Sequence, residues 1–377
     1  MTQSLLVVLL IGLLLPLPST EAALPRVTIG SDGKSFQQVG ADKPFVVWGV
    51  NYDHNRDGQL IEDYWTTDWK QVSEDFQEIR DLGANVVRVH LQLGKFMRSP
   101  EEADPEQLKR LKGLIHLAHE SGVYLNLTGL GCYHRKDVPA WYDTMSEEDR
   151  WQVQGRFWKA IASTCKGDPA IFCYDLMNEP IAPGRKVEKD WLGGELGGKF
   201  FVQRISLDAR GRSQKEVARQ WVETLTRSIR EVDEQTLITV GVIPWAHVFP
   251  KAKPLFYSPE VSGSLDFVSV HFYPKNNEVD QAIEALKAYE IGKPLVIEEM
   301  FPLKCTLREM DDFIERSKGM VAGWTSFYWG QSVKELSEKK GDFANALKQQ
   351  WFSYFELKSS SIKEGRSRPV GSLGNDK

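Results

Sequence analysis

The chain has 377 residues, of which 41% are hydrophobic and 26% are charged. This is the composition of an ordinary soluble globular protein, with enough length for one large α/β domain or two smaller ones. The formal net charge of −5 offers no basic field for holding phosphates, so it argues against nucleic acid as a partner and favours a neutral substrate.

The N-terminus has the pattern of a secretory signal. An apolar stretch from Leu5 to Leu15 is followed by small residues around Ala22, which predicts a signal peptide over residues 1–22. No Lys or Arg precedes the apolar stretch, so an uncleaved membrane anchor is the alternative. We expect a secreted or periplasmic protein with no stable membrane span after cleavage.

The cysteines predict neither a metal site nor a disulfide scaffold. There are four of them, at positions 132, 165, 173 and 305, and their spacing matches no zinc-binding pattern. Cys165 and Cys173 have the sequence separation for a short bridge, but Cys173 lies in an apolar strand-like run, so a buried free thiol is equally compatible. Asn126 begins a glycosylation tripeptide inside another buried-looking strand, where a sugar would have no room.

After residues 27–45, which predict a small hairpin closing the bottom of a larger fold, strands and helices alternate. Short apolar runs rich in β-formers are each followed by apolar residues at helical spacing, as from Asp68 to the stop at Gly83. Only the unit after Val242 lacks a clear helix. The eight predicted strands are residues 45–50, 85–91, 123–130, 171–176, 237–242, 267–272, 294–297 and 323–329.

Eight such strands predict a (β/α)₈ TIM barrel, an α/β fold that fills residues 23–357 as one domain. A doubly wound open sheet is the alternative. Residues 181–212 form a long irregular loop after the fourth strand, and long loops often carry function. The last residues, 358–377, are rich in Ser, Gly and charge without apolar periodicity, which predicts a disordered tail.

In such a barrel the active site is formed at the C-terminal ends of the strands, where this sequence places several polar and aromatic residues. Two carboxylates, Glu179 after strand four and Glu299 on strand seven, have the placement needed to flank a sugar ring. Carboxyl groups ~5 Å apart give retention of configuration, and ~7 to 9 Å gives inversion. The candidate site residues are Asn51, Arg88, His134, Asn178, Glu179, His271, Tyr273, Glu299 and Trp329.

One set of residues forms a pattern along the barrel: the tripeptide Asn178-Glu179-Pro180 after an apolar strand, Arg88, His271, Tyr273 and the run from Pro294 to Glu299. This pattern resembles glycoside hydrolase family 5. The resemblance spans nearly the whole barrel. It implies a retaining mechanism without cofactor or metal, with Glu179 as acid/base and Glu299 as nucleophile. It also places Asn178 near the sugar 2-hydroxyl.

Physical chemistry suggests roles for the neighbours. Arg88 and Tyr273 are candidate donors that keep Glu299 ionised, and Trp329 is a candidate stacking platform beneath the sugar ring. Glu298 competes with Glu299 for the role of nucleophile. Because neighbours on a strand point to opposite faces, we expect only one of the two to face the site, and the resemblance favours Glu299.

Other candidates are open to a second interpretation. His134 and His90 either line the site or are packing histidines. Trp65, Trp141 and Trp191 either stack sugars or pack in the interior. The family usually has an aromatic residue and then Gly after the nucleophile, whereas this chain has Met300-Phe301.

The sequence therefore predicts a retaining hydrolase of β-linked glycans, most like cellulases and mannanases, which acts through a covalent glycosyl-enzyme intermediate. One alternative is a glycolipid-directed glycosidase or a transglycosylase, which would have an apolar acceptor cleft. A second alternative is a catalytically silent barrel that only binds glycan.

Overall fold

The computed structural model describes residues 24–327, 329–338 and 343–364. The predicted signal peptide, residues 1–22, lies outside the described residues, as does the end of the predicted tail, residues 365–377. Within the described ranges, no helix is long and apolar enough to cross a membrane.

The predicted hairpin is a small antiparallel sheet that closes the bottom of the fold. Its three strands are Val27–Ile29, Phe36–Gln38 and Pro44–Phe45. The ring of Phe36 is fully buried and lies edge-on to the rings of Phe172, 5.0 Å away, and Phe267, 5.2 Å away. Those two rings lie near the N-terminal ends of barrel strands, so the sheet seals the end opposite the site.

The main sheet is the predicted parallel barrel. Its strands run in the order of the chain around a closed ring, and the fifth is split by a one-residue break at Val240. One piece of the fifth strand pairs with the fourth and the other with the sixth, so the sheet closes, which excludes the open-sheet alternative. The strands are β1 Val47–Tyr52, β2 Val86–Gln92, β3 Tyr124–Gly131, β4 Ile171–Asp175, β5 Leu237–Thr239 with Gly241–Val242, β6 Val268–His271, β7 Leu295–Met300 and β8 Gly323–Ser326.

Eight helices alternate with these strands, and the one after β5 is only a single turn. They are α1 Trp69–Asp81, α2 Pro105–Ser121, α3 Glu147–Cys165, α4 Gln214–Arg230, α5 Trp245–Val248, α6 Val279–Leu286, α7 Leu307–Ser317 and α8 Phe343–Lys363. The loops contain further short helices and one small pair of parallel strands. The short helices are Ile61–Tyr64, Leu93–Phe96, Arg135–Asp137, Ala140–Asp143, Ser262–Ser264, Lys287–Tyr289 and Val333–Glu338. The parallel strands are Pro180–Ile181 and Gln203–Arg204.

Local chemistry sets the ends of these helices. The Asp68 side chain accepts a hydrogen bond from the Gln71 N–H and begins α1. In the same way Asp104 caps α2 directly before Pro105, and α2 ends at Gly122 with φ of 66°. A short acceptor at the N-cap and a left-handed glycine at the C-cap satisfy backbone groups that a helix leaves unpaired.

The predicted disorder of the tail is wrong for residues 358–364. Helix α8 continues to Lys363, and Ile362 is 3% exposed. The Ser359 hydroxyl and the Lys363 ammonium both donate to the Gly83 carbonyl at 3.0 Å. The serines and charges in this stretch therefore pair with the end of α1, a long-range partner that apolar periodicity does not register.

The four cysteines are free thiols, and three of them are buried. Cys165 and Cys173 therefore form no bridge with each other in this structure. Asn126 is 3% exposed and its amide donates to Glu298 at 2.6 Å. This agrees with the view that its tripeptide is unsuited to glycosylation.

Strand β7 contains an irregularity that matters for the site. Val270 of β6 is paired with Ile297, but the next residue, His271, is paired with Glu299, so Glu298 is an extra residue in the ladder. A β-bulge of this kind breaks the alternation of side chains. The expectation that Glu298 and Glu299 point to opposite faces is thereby corrected, because both carboxylates lie inside the barrel.

Candidate active site

The guanidinium of Arg88 lies at the centre of the barrel mouth and is completely buried. One terminal nitrogen donates to Asn51 at 2.8 Å and to Glu299 at 2.7 Å. The other donates to Asp175 at 2.7 Å and to Asn178 at 2.9 Å. A single side chain on β2 thus ties together β1, β4, the turn after β4 and β7.

Glu299 has a donor on each carboxylate oxygen. Arg88 donates to Oε1, and the Tyr273 hydroxyl donates to Oε2 at 2.6 Å. Burial raises the pKa of Glu299 above its usual 4.5, although His271 and Arg88 act in the opposite direction. The predicted donors are therefore both present, and they fix the orientation of this carboxylate.

Glu179 occupies the position at which the chain leaves β4. Its φ of 47° lies in the left-handed region, where a residue with a Cβ is strained by about 1–3 kcal/mol. Its N–H donates to the Gly241 carbonyl at 2.9 Å, which helps to hold the turn. Such strain is found preferentially at functional sites.

His271 of β6 lies between the two carboxylates. Its Nδ1 is 2.8 Å from Glu179 Oε1 and 3.4 Å from Glu299 Oε2. Burial alone would lower the pKa of this imidazole, but the carboxylates of Glu299, Glu179 and Glu298 outweigh it and raise the pKa to about 10. The ring is therefore cationic at neutral pH.

One oxygen of Glu179, one oxygen of Glu299 and one ring nitrogen of His271 all lie within 4.8 Å of one another. This spacing suits direct attack by one carboxylate, because an intervening water needs ~7 to 9 Å between the two.

Below the two carboxylates lies a second buried polar layer. Glu298 is fully buried, accepts from Asn126 and lies 3.6 Å from both Arg88 and His271. Burial would raise the pKa of Glu298, but Arg88 and His271 lower it to about 2, so it is ionised. Burial and the charge of Glu298 raise the pKa of Asp175 to about 6, although Arg88 opposes this.

His90 belongs to the site and is more than a packing residue. Its Nε2 lies 3.0 Å from the Asn51 side-chain oxygen, and its Nδ1 is hydrogen-bonded to the Tyr133 hydroxyl. Burial and the neighbouring Arg88 charge hold its pKa well below 6.5. His90 is therefore neutral, whereas His271 is charged.

Two candidates do not join the cluster. His134 is half-buried at the start of the turn Arg135–Asp137, and in the described part of the chain its ring makes no hydrogen bond. Trp329 is 1% exposed and lies edge-on to Phe352. The expectation that Trp329 presents an open stacking face is corrected by this packing, because α8 covers its ring.

Two of the three other tryptophans are interior residues. Trp65 is fully buried and donates to Gln107 at 2.8 Å. Trp191 is 7% exposed and lies 4.1 Å from the Arg150 guanidinium. Trp141 is half-buried and lies edge-on to Tyr142.

Sequence reasoning missed several members of the buried cluster, namely Asp175, Asn126, Tyr133 and Gly241. Asp175 and Asn126 carry a usable signal, since each is a polar residue inside an apolar strand run. Gly241 offers no such signal, because its importance lies in the close approach of three side chains from other strands.

The comparisons agree with this geometry. Residues 41–330 match the family model described as Cellulase (glycosyl hydrolase family 5). The chain belongs to glycosyl hydrolase family 5. The match covers more than half of the chain and confirms the predicted family, and with it the class of retaining glycosidases.

Solved structures share the barrel of this family 5 chain at low sequence identity. The exo-β-1,4-mannosidase Op5Man5 from Opitutaceae bacterium strain TAV5 has a TM-score of 0.65 at 17% identity, over 90% of this chain and 63% of that one. The chain thus spans less than two thirds of that enzyme. The β-mannanase of the blue mussel Mytilus edulis has a TM-score of 0.61 at 15% identity, over 90% and 97%.

The catalytic domain of Thermobifida fusca endoglucanase Cel5A has a TM-score of 0.57 at 17% identity, over 89% of this chain and 97% of that one. A comparison with curated protein sequences gives no match. At these identities the solved structures establish the fold of this family 5 chain, which confirms the predicted TIM barrel.

The packing around Gly241 generates a prediction. A Cβ at this position would lie 2.4 Å from a Glu298 oxygen, 2.9 Å from His271 Nε2 and 3.0 Å from an Arg88 nitrogen. We expect Gly241→Ala to displace these groups and to reduce kcat/KM by roughly 100-fold, the usual cost of a misplacement near 1 Å. Gly263→Ala is the matched control, because a Cβ there meets no atom within 4 Å. Equal kcat/KM values for the two variants would contradict this packing.

Proposed function

We propose that this family 5 chain hydrolyses β-1,4-linked glycans of the mannan or cellulose type with retention of configuration. The observation that carries the proposal is the pair of carboxylates after β4 and on β7. One oxygen of Glu179 and one oxygen of Glu299 lie within 4.8 Å of each other. That separation supports a mechanism in which one carboxylate attacks the sugar directly.

The surroundings of the two carboxylates support different roles. The Glu299 side chain is 6% exposed and receives hydrogen bonds from Arg88 and Tyr273, which suits a nucleophile held in one orientation. The Glu179 side chain is 18% exposed, which suits an acid/base group that exchanges protons with the leaving oxygen and with water.

In the first step, an oxygen of Glu299 forms a bond to the anomeric carbon while the bond to the leaving oxygen breaks and that oxygen takes the Glu179 proton. In the second step, Glu179 removes a proton from water, the water oxygen attacks the anomeric carbon, and the bond to Glu299 breaks. Two inversions give net retention. No cofactor is required by this chemistry.

The neighbouring residues position the reacting groups. Arg88 holds Asn178 through its side-chain oxygen, and the Asn178 amide donates to the Phe201 carbonyl at 3.0 Å. We propose that Asn178 contacts the sugar 2-hydroxyl, where a hydrogen bond strengthens in the transition state. Asn51 and His134 are also proposed substrate contacts.

The proposed sugar class draws on the proteins that share this fold. They include a β-mannanase, an exo-β-1,4-mannosidase and an endoglucanase. The β-1,4 linkage is named for the mannosidase. We extend this class to the present chain because its carboxylates and their donors form a complete set for the same bond.

A second candidate is a glycosidase that acts on glycolipids, and a specific cavity favours it. A cavity of about 320 Å³ lies beside the turn that follows Glu179 and is lined by Pro180, Ile181, Val242 and Trp245, among others. Phe249, 59% exposed, also lines it. A mainly apolar cavity that begins at the residue after the acid/base is suited to a hydrophobic leaving group.

We also propose that the protein is secreted or periplasmic. The support is the apolar N-terminal segment, residues 1–22, with its small residues near position 22. N-terminal sequencing of the protein recovered from the medium or periplasm of an expressing cell tests this. Recovery of an intact Met1 in the cytoplasmic or membrane fraction would contradict it.

The proposed function is tested by product analysis of the purified protein. The panel contains β-mannan, β-glucan, xylan, aryl β-glycosides and glycosylceramides, and NMR follows the anomer that is released first. We expect the β-anomer from a manno- or gluco-configured substrate. Release of the α-anomer would contradict retention, and turnover of glycosylceramides alone would favour the second candidate.

The role of Glu179 gives a separate prediction. Glu179→Gln should reduce kcat/KM on a glycoside with a poor leaving group by roughly 100- to 10,000-fold, the usual contribution of general acid catalysis. Dinitrophenyl glycosides scarcely need protonation, so their glycosylation step should change little. Glu195→Gln, at an exposed residue of the long loop, is the control. Equal losses of Glu179→Gln on both substrates would contradict the assigned role.

A further inference from the structure

The long loop after β4 crosses the mouth of the barrel. It leaves β4 through Pro180–Ile181 and returns through Gln203–Arg204, which pairs with it in parallel. We call residues 191–204 the crossing segment. Its tip, residues 194–198, is exposed, whereas Lys199 and Gln203 are buried.

The crossing segment is fastened to β3 and to the catalytic turn. The Phe200 N–H donates to the Tyr133 carbonyl at 2.9 Å, and the Gln203 side chain donates to the Leu130 carbonyl at 2.8 Å. The Phe201 carbonyl accepts from Asn178, which Arg88 also holds. Its position is therefore coupled to the same cluster that orients Glu299.

The segment also reaches the loops after β1 and β8. Lys199 is 7% exposed. Its ammonium lies 3.6 Å from the point that a Cβ on Gly58, in the loop after β1, would occupy. The Phe201 ring lies 4.9 Å from that of Tyr133 and 6.4 Å from that of Phe327, beyond β8. The crossing segment thus joins β3, β1 and β8 on one side of the mouth.

Asp53 is a buried polar residue on the same side of the mouth as the crossing segment. It follows β1, is 2% exposed, and has His54 Nδ1 2.8 Å from one of its oxygens. Asp53 interacts electrostatically with Lys199 of the crossing segment as well as with His54.

The opposite side of the mouth, at β5 and β6, has a different character. Val248 and Phe249 follow β5 and are 50% and 59% exposed. The crossing segment lies beside Asn178, because the Asn178 amide donates to the Phe201 carbonyl at 3.0 Å. Since we propose that Asn178 contacts the 2-hydroxyl of the sugar that is retained on the enzyme, we expect that sugar to lie towards the crossing segment and the leaving group to lie over β5 and β6.

We propose that the crossing segment closes the glycone end of the cleft, so that the enzyme releases single sugars from the non-reducing ends of its substrates. This inference rests on the proposed function and adds the mode of attack to it. A polysaccharide cannot run through a cleft that is closed at one end, whereas a chain end fits with the remainder extending over β5 and β6.

The test uses 4-nitrophenyl β-mannobioside and 4-nitrophenyl β-cellobioside. An enzyme with a closed glycone end binds the terminal sugar, so the monosaccharide is released first and nitrophenol follows after a lag. An open cleft accepts both sugars on the glycone side and releases nitrophenol at once, together with a disaccharide. Chromatography and absorbance at early times separate the two orders of release.

Phe201→Ala removes an aromatic ring from the crossing segment and keeps the hydrogen bond between the backbone carbonyl of residue 201 and Asn178. We expect the direct release of nitrophenol, relative to monosaccharide, to rise by roughly tenfold, the scale of discrimination that apolar packing in a pocket provides. Leu357→Ala, at a residue of α8 that is 74% exposed and lies outside the crossing segment, is the control and should retain the lag.

Nitrophenol release without a lag in the unaltered enzyme would overturn the closed glycone end while leaving hydrolysis intact. No release from any aryl glycoside would instead contradict the proposed function, and this inference with it. If Phe201→Ala fails to fold, the order of release in the unaltered enzyme still decides the question.

Discussion

The buried guanidinium of Arg88 is the interaction on which the rest of the site depends. Its terminal nitrogens donate to Asn51, Asp175, Asn178 and Glu299, so one side chain sets the spacing of three barrel strands and of the turn that carries the acid/base residue. A buried cation of this kind is tolerated only when opposite charges compensate it, as Asp175 and Glu299 do here at 2.7 Å. Loss of Arg88 would remove a cation that three buried carboxylates share, those of Asp175, Glu298 and Glu299. We therefore expect the cluster to lose its arrangement as a unit.

The regular barrel allows local irregularities at its mouth. The bulge at Glu298 turns two consecutive carboxylates inward, the left-handed conformation of Glu179 aims the acid, and the break in β5 brings Gly241 against the charged cluster. Each departure is held by contacts from other strands, such as the bond from the Glu179 N–H to the Gly241 carbonyl. The strain at Glu179 is therefore carried by the scaffold.

The sequence predicted the barrel and most of the site because both follow from periodicity. Apolar runs mark strands, and the polar residues that end them gather at one mouth. What it could not predict depends on contacts between distant segments. The inward turn of Glu298 needs the bulge, the enclosure of Trp329 needs helix α8, and the order of residues 358–364 needs the Gly83 carbonyl. Alternation along a single strand carries no information about these partners.

Trapping of the glycosyl-enzyme intermediate tests the central claim most directly, because Glu298 and Glu299 both face the interior and Glu299 is the one with an oxygen within 4.8 Å of a Glu179 oxygen. A 2-deoxy-2-fluoro aryl β-mannoside or β-glucoside should inactivate the enzyme, and mass spectrometry of the peptides should find one fluorosugar on Glu299. A fluorosugar on Glu298, or complete turnover of substrate with no trapped sugar on either residue, would contradict the account.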